Sequence, residues 1–103
     1  MALSFILVSP RIPQIYYGTE VLLSNTAKRG DHGLLRSAFP GGWSKDTINA
    51  FEGTKMTAGQ LDMQTFLKTL LNFRRSSAAI HQGKTVHFSP QEGIYTLFRF
   101  NDH

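Results

Sequence analysis

Residues 12–20 constrain the fold more than any other stretch, and they read Ile-Pro-Gln-Ile-Tyr-Tyr-Gly-Thr-Glu. The isoleucines and tyrosines form a nearly continuous β-prone run, which is typical of a strand covered on both faces. Gly18 ends the run, and the chain offers this strand no obvious pairing partner. We therefore expect a buried strand from Ile12 to Tyr17 that belongs to an α/β sheet or barrel flanked by helices.

One helix is expected before this strand and another after it. Residues 1–8 are apolar almost all round, which predicts a helix buried on most faces. It should end near Val8 or Ser9, because a proline disfavours the helical state in the residue before it. From Thr57 to about Ser77, a capping box at Thr-Ala-Gly-Gln opens a second helix with an apolar stripe expected in the core. Arg74 and Arg75 would lie near the negative end of this helix's dipole.

A long polar loop and a hairpin complete the pattern. Residues 24–49 are rich in Gly, Asn, Ser and Asp without a clear period, and long loops of this kind are usually functional or disordered. In its middle, Phe-Pro-Gly-Gly-Trp at 39–43 favours a tight turn whose large rings either pin the turn to a surface or offer a ligand a stacking platform. Residues 85–88 and 94–100 read as strands joined by a loop at 89–93.

Composition limits the function classes. With 103 residues the chain suggests one small domain, and its charged share of 17% is below the ~25% usual for soluble domains. Eight phenylalanines imply that some apolar surface packs on something else. The net charge of +4 is scattered, so we expect no nucleic-acid partner. The absence of cysteine excludes disulfides and thiol catalysis. Residues 1–8 lack signal-peptide features and are too short to span a bilayer, so we expect no membrane partner.

The sequence contains no recognisable pattern of catalytic residues. No two carboxylates are spaced to meet by local geometry, the four histidines are dispersed, and no nucleophile elbow occurs, so no metal site or triad is predicted. Glu20, just after the predicted strand, is open to three interpretations: a catalytic group, a group that fixes the loop, or a solvated side chain. Arg36 has donors for sugar hydroxyls, and Trp43, Tyr16 and Tyr17 have flat faces for sugar C–H surfaces.

Residues 1–7 followed by the stretch at 12–20 resemble the last barrel strand, and the helix before it, of the α-amylase family (glycoside hydrolase family 13). Phe-Pro-Gly-Gly-Trp at 39–43 and Leu-Leu-Asn-Phe-Arg-Arg-Ser-Ser at 70–77 resemble the neopullulanase and cyclomaltodextrinase branch. The likeness continues into the hairpin and covers nearly the whole chain. At positions 10–11 the chain has Pro-Arg where the family usually has Arg-Gly.

The resemblance implies an α/β fold made of the last βα unit of a (β/α)8 TIM barrel. Residues 1–9 would be the end of helix seven, Ile12 to Tyr17 strand eight, 21–56 the following loop, and Thr57 to Ser77 helix eight. Residues 1–83 would then form the C-terminal portion of the catalytic barrel. Residues 84–103 would open an all-β C-terminal domain.

The resemblance also implies a C-terminal portion of a retaining glycosidase acting on α-glucans such as starch, pullulan or cyclodextrin, inactive alone. Retention needs two carboxyls ~5 Å apart, and none of the seven acidic residues stands in the family's catalytic motifs. An Asp and an Arg in the loop after strand eight hold a glucose unit in the family. Arg36 matches by position, whereas Asp31 is one residue further from the arginine than usual. With Tyr17 and Trp43 these form the expected substrate-binding set; no catalytic residue, metal or cofactor is expected.

Two further expectations stand beside this interpretation. The Arg36 and Trp43 loop and the aromatic excess also fit a self-standing carbohydrate-binding or interaction module. An unpaired strand and exposed apolar faces predict association between copies of the chain. The compartment is left open, since the chain shows no targeting signal and the resemblance allows a periplasmic or secreted parent.

Overall fold

The computed structural model describes residues 1–25 and 30–102. In chain order the elements are α1 (Ala2–Val8), a 3-10 turn (Thr19–Val21), α2 (Ala58–Ser76), α3 (Ala78–Gln82), β1 (Lys84–Gln91) and β2 (Ile94–Phe100). The predicted mixture of helices, a long loop and a C-terminal hairpin is confirmed. Positions 26–29 of the predicted loop and position 103 of the predicted β-domain lie outside the described residues.

Helix α1 ends where the prolines predict. The Ser9 N–H donates to the carbonyl of Phe5 at 3.1 Å, and the Ser9 hydroxyl donates to the same oxygen at 2.7 Å. Leu7 is fully buried, but Phe5 and Ile6 are substantially exposed. The expectation of a helix buried on most faces is therefore wrong, because Leu7 is the only buried residue of α1.

The predicted strand from Ile12 to Tyr17 does not form. These residues have no regular secondary structure, and Ile12 is 96% exposed. A strand requires hydrogen bonds from a neighbouring strand, and within the described residues the sheet contains only β1 and β2. The β-prone composition is present, but the pairing partner that would make it a strand is not.

Helix α2 begins at the predicted capping box. The Thr57 N–H donates to Oε1 of Gln60 at 2.9 Å, and the Gln60 N–H donates to Oγ1 of Thr57 at 3.3 Å. Along the predicted core stripe Leu67 is buried, whereas Phe66, Leu71 and Phe73 remain about half exposed. The helix is confirmed, but its stripe is only partly covered.

A short helix, α3, was not predicted. It fills the five positions Ala78–Gln82 and ends at Gly83, whose N–H donates to the carbonyl of Ala79 at 3.0 Å. A Cβ at Gly83 would lie 2.2 Å from that oxygen and 2.7 Å from the carbonyl oxygen of Phe100. Glycine is therefore required where α3 meets the end of the hairpin.

The hairpin is antiparallel, with Lys84 opposite Phe100, Val86 opposite Phe98 and His87 opposite Leu97. Strand β1 continues through residues predicted as loop, with an irregular register between Phe88 and Gln91. Glu92 and Gly93 form the turn, both with positive φ, as a type I′ hairpin turn requires.

The chain forms two compact units. One comprises Met1–Gln14 with Lys68–His103, and its buried side chains include Leu7 and Ile80. The other is Ile15–Leu67, with Val21, Ala50 and Leu67 buried. The predicted domain boundary between residues 83 and 84 stays a prediction. Among the described residues, no helix has both the length and the apolar character needed to cross a membrane.

Candidate functional site

The candidate site is a hollow of about 370 Å³ in the unit Ile15–Leu67. It begins at the Tyr16–Tyr17 pair and continues over Gly18 and Thr19 to an apolar wall. The residues that line it are Tyr16, Tyr17, Gly18, Thr19, Leu22, Leu23, Asn25, Leu35 and Met63. An apolar hollow with a few polar groups at its edge is the usual form of a small-molecule site.

Two tyrosine rings form the aromatic part of this hollow. Their centroids lie 4.8 Å apart with the planes tilted by 48°. Tyr16 is 61% exposed and Tyr17 39% exposed, so each ring presents surface to solvent. The Tyr17 hydroxyl donates to the carbonyl of Ser37 at 2.9 Å, which fixes this ring. Within the described residues the Tyr16 hydroxyl has no partner, and it remains available to a ligand.

Asn25 and Ser37 connect the hollow to the long loop. Nδ2 of Asn25 donates to the carbonyl of Leu35 at 3.0 Å, and the Ser37 hydroxyl donates to Oδ1 of Asn25. Together with the bond from Tyr17, these contacts hold residues 35–37 against the tyrosine side of the hollow. Sequence reasoning missed both residues, because Asn and Ser are common in loops and their partners lie 10 and 12 positions apart.

Gly18 turns the backbone directly after the tyrosines. Its φ is 84°, and a Cβ there would lie 2.7 Å from both Cβ and Cδ2 of Leu23. The Leu23 N–H donates to the Gly18 carbonyl at 2.8 Å, and Oγ1 of Thr19 donates to the Tyr16 carbonyl at 2.7 Å. A residue with a side chain would be strained here, so the turn that positions the two rings depends on this glycine.

Asp31 and Arg36 lie in one turn of the same unit. Oδ1 of Asp31 accepts from the N–H groups of Gly33 at 3.1 Å and Leu34 at 3.3 Å, and the Arg36 N–H donates to the Gly33 carbonyl at 3.1 Å. Both side chains are exposed. The Asp31 carboxylate therefore shapes the turn. Among residues 1–25 and 30–102, no ion pair joins the two side chains and the Arg36 guanidinium has no hydrogen-bond partner.

Trp43 sits on a turn that Asp46 organises. Oδ2 of Asp46 accepts from the N–H groups of Gly41 at 2.9 Å and Trp43 at 3.1 Å. The Gly42 N–H closes the turn on the carbonyl of Phe39 at 3.2 Å. Trp43 itself is 71% exposed. The rings of the Phe-Pro-Gly-Gly-Trp motif were expected either to pin the turn to a surface or to offer a ligand a stacking platform. Phe39 fits the first role, because its ring lies 5.3 Å from that of Phe51, and the exposed Trp43 fits the second.

The predicted set is therefore distributed over three places. Tyr17 lines the hollow, Asp31 and Arg36 share a neighbouring turn, and Trp43 occupies another. Over residues 1–25 and 30–102, no hydrogen bond, ion pair or ring contact joins any two of these four side chains.

Glu20 is only partly solvated. Its Oε2 is buried and has no hydrogen-bond partner among the described residues. The interpretation of Glu20 as a freely solvated side chain is wrong for this oxygen. No group of three or more His, Asp or Glu side chains is placed to hold a metal ion in the described ranges.

A scan against models of known protein families finds no match to this chain.

Proposed function

We propose that this chain is a C-terminal portion of an α-amylase-type retaining glycosidase and contributes one wall of its α-glucan cleft. The observation that carries the proposal is the pair of exposed tyrosine rings at the edge of the 370 Å³ hollow. The resemblance of residues 12–20 and 39–43 to the family supplies the substrate class: starch, pullulan or cyclodextrin.

The chemistry of the hollow supports a sugar ligand. A glucose ring has C–H surfaces that pack on aromatic faces, and hydroxyls at its edge that need polar partners. Tyr16 and Tyr17 supply the faces, and the Tyr16 hydroxyl supplies a donor that has no partner in the described residues. The Arg36 guanidinium does not line the hollow and lies on a neighbouring turn. The contacts of Asn25 and Ser37 preorganise this surface, which reduces the entropy lost on binding.

Hydrolysis by this chain alone is not expected. A retaining mechanism requires a nucleophile and an acid/base on carboxyls ~5 Å apart. The carboxylates of Asp31 and Asp46 stabilise turns of the loop, because each accepts hydrogen bonds from two backbone N–H groups. We therefore assign this chain a role in binding and orienting the glucan.

Calorimetric titration of the chain with maltohexaose and β-cyclodextrin tests the proposal. We expect weak binding that the Tyr16→Ala variant reduces about fivefold, since one aromatic contact contributes ~0.5–1.5 kcal/mol. Phe73→Ala is the matched control, because Phe73 is an exposed ring outside the hollow and in the other unit. Absence of binding at millimolar sugar, or equal loss in both variants, would refute the assignment. Release of reducing sugar from starch, pullulan or cyclodextrin would refute the claim of inactivity.

The exposure of Trp43 favours a second candidate, a self-standing carbohydrate-binding module centred on the turn at 39–43. Such a module should bind below millimolar concentration and should quench or shift Trp43 fluorescence, which is readable because the chain has one tryptophan. Binding that Trp43→Ala abolishes and Tyr16→Ala leaves intact would favour this candidate over the cleft wall.

A further inference from the structure

The two faces of the β1–β2 hairpin have different surroundings. On one face, Nη2 of Arg99 donates to the carbonyl of Ile80 at 2.6 Å, and the Tyr95 ring lies 5.8 Å from that of Phe5. That face is therefore partly covered by α3 and α1 of the same unit, although Tyr95 remains 41% exposed. Side chains alternate along a strand, so the other face carries the intervening residues. We call it the outer face: Lys84, Val86, Phe88, Ile94, Thr96, Phe98 and Phe100.

The outer face is apolar and open. Its exposed fractions are 40% for Val86, 50% for Phe88, 69% for Ile94, 55% for Phe98 and 41% for Phe100. The rings of Phe88 and Phe98 meet edge to face, 5.7 Å apart, above a shallow hollow of about 700 Å³. A contiguous apolar patch of this kind marks an interaction surface.

We propose that the outer face binds the outer face of a second copy of this chain, forming a two-fold symmetric dimer. Taking ~200 Å² for each phenylalanine side chain and somewhat less for Ile94 and Val86, the patch exposes roughly 500 Å² per copy. Face-to-face pairing would bury about 1,000 Å² in total, which is near the lower limit for a specific interface. The dimer is therefore weak, and it forms as the protein concentration rises.

Charge selects how the two copies are oriented. The centre of the outer face carries no charge, but Lys84 lies at its open end and Glu92 lines the hollow at its turn end. A two-fold axis parallel to the strands would place Lys84 beside Lys84 and Glu92 beside Glu92, which is unfavourable. A two-fold axis perpendicular to the strands, in the plane between the two faces, places Lys84 of each copy beside Glu92 of the other. The ion pair of Lys84 with Asp102, at 2.8 Å, is about two-thirds exposed and contributes little, so Lys84 is free to reorient.

Sedimentation equilibrium over a wide range of protein concentration tests the proposal. We expect a monomer–dimer equilibrium that Phe98→Thr weakens about tenfold or more, because a central aromatic side chain dominates small interfaces. Phe51→Thr removes an exposed ring from the other unit, and this control should leave dimerisation unchanged. A monomer at every concentration, or equal effects of the two variants, would overturn the proposal.

Charge reversal provides a test that leaves the apolar face intact. Glu92→Lys should weaken the dimer, because it places two lysines together at each end. The double variant Lys84→Glu/Glu92→Lys should restore it, since each end again pairs opposite charges. Restoration supports the crossed arrangement. A dimer that neither change affects would show that the outer faces do not meet in this way.

Discussion

Nη1 of Arg74 lies 3.1 Å from the carbonyl oxygen of Ser9, at the carboxyl end of α1. The same nitrogen donates to the carbonyl of Leu7, and Nη2 donates to that of Arg11 at 2.9 Å. The last carbonyls of a helix have no partner within it and attract cations. Arg74 lies in the last turn of α2, as predicted, and its donors also stabilise the end of α1.

Replacing Arg74 should destabilise the protein. Arg74→Met leaves three carbonyls without their donor, and hydrogen bonds to a charged group contribute ~1.5–3 kcal/mol in favourable cases. We expect the free energy of unfolding in urea to fall by about 2 kcal/mol. Arg75→Met is the matched control, since Arg75 is exposed and neighbours Arg74 in α2. Equal losses in both variants would show that the guanidinium contacts contribute nothing specific.

Gly83 and Gly59 should respond to alanine with opposite signs. A Cβ at Gly83 would meet two backbone oxygens closer than 3 Å, so Gly83→Ala should cost ~1–3 kcal/mol through strain. Gly59 lies in the first turn of α2 with nothing within 4 Å of its Cβ position. Gly59→Ala should therefore stabilise by ~0.5–1 kcal/mol. Thermal unfolding of both variants measures the difference; a stabilised Gly83→Ala would contradict the close approach of α3 and β2.

The capping box at Thr57 should stabilise α2. Thr57→Ala removes the oxygen that accepts the Gln60 N–H and should cost ~0.5–2 kcal/mol. Far-UV circular dichroism during urea unfolding gives both helix content and stability. Thr47→Ala, at an exposed position outside any helix, is the control and should change neither. If both substitutions have the same effect, the cap is not the cause.

Asp46 should control the mobility of the Trp43 turn. Without its carboxylate, as in Asp46→Ala, the N–H groups of Gly41 and Trp43 lose their acceptor. Their hydrogen exchange should accelerate about tenfold, the equivalent of ~1.4 kcal/mol. Asp62→Ala removes an exposed carboxylate from α2 and should leave both amides unchanged. Unaltered exchange in Asp46→Ala would mean that the turn is held by other contacts.

The candidate site was predictable in part. Tyr16, Tyr17 and Trp43 could be identified from the sequence as rings with flat faces for a sugar. The exposure of Tyr16 and Tyr17 was not predicted, because the sequence placed them in a buried strand. The hydrogen bonds from Tyr17 to Ser37 and from Ser37 to Asn25 could not be predicted, because no local pattern specifies which loop residues will meet. The separation of Arg36 and Trp43 from the hollow is likewise a result of the path of the loop.

The sequence by itself determined the local features of the fold. The α1 stop before Pro10 and the cap at Thr57 each depend on residues within four positions, so both could be predicted from neighbouring residues. The tertiary structure alone decided the long-range contacts. It determined that the Arg74 guanidinium donates hydrogen bonds at the end of α1, and that Gly83 lies against the carbonyl of Phe100. It also left Ile12 to Tyr17 unpaired, because a strand is a relation between segments and β-prone composition cannot supply the second one.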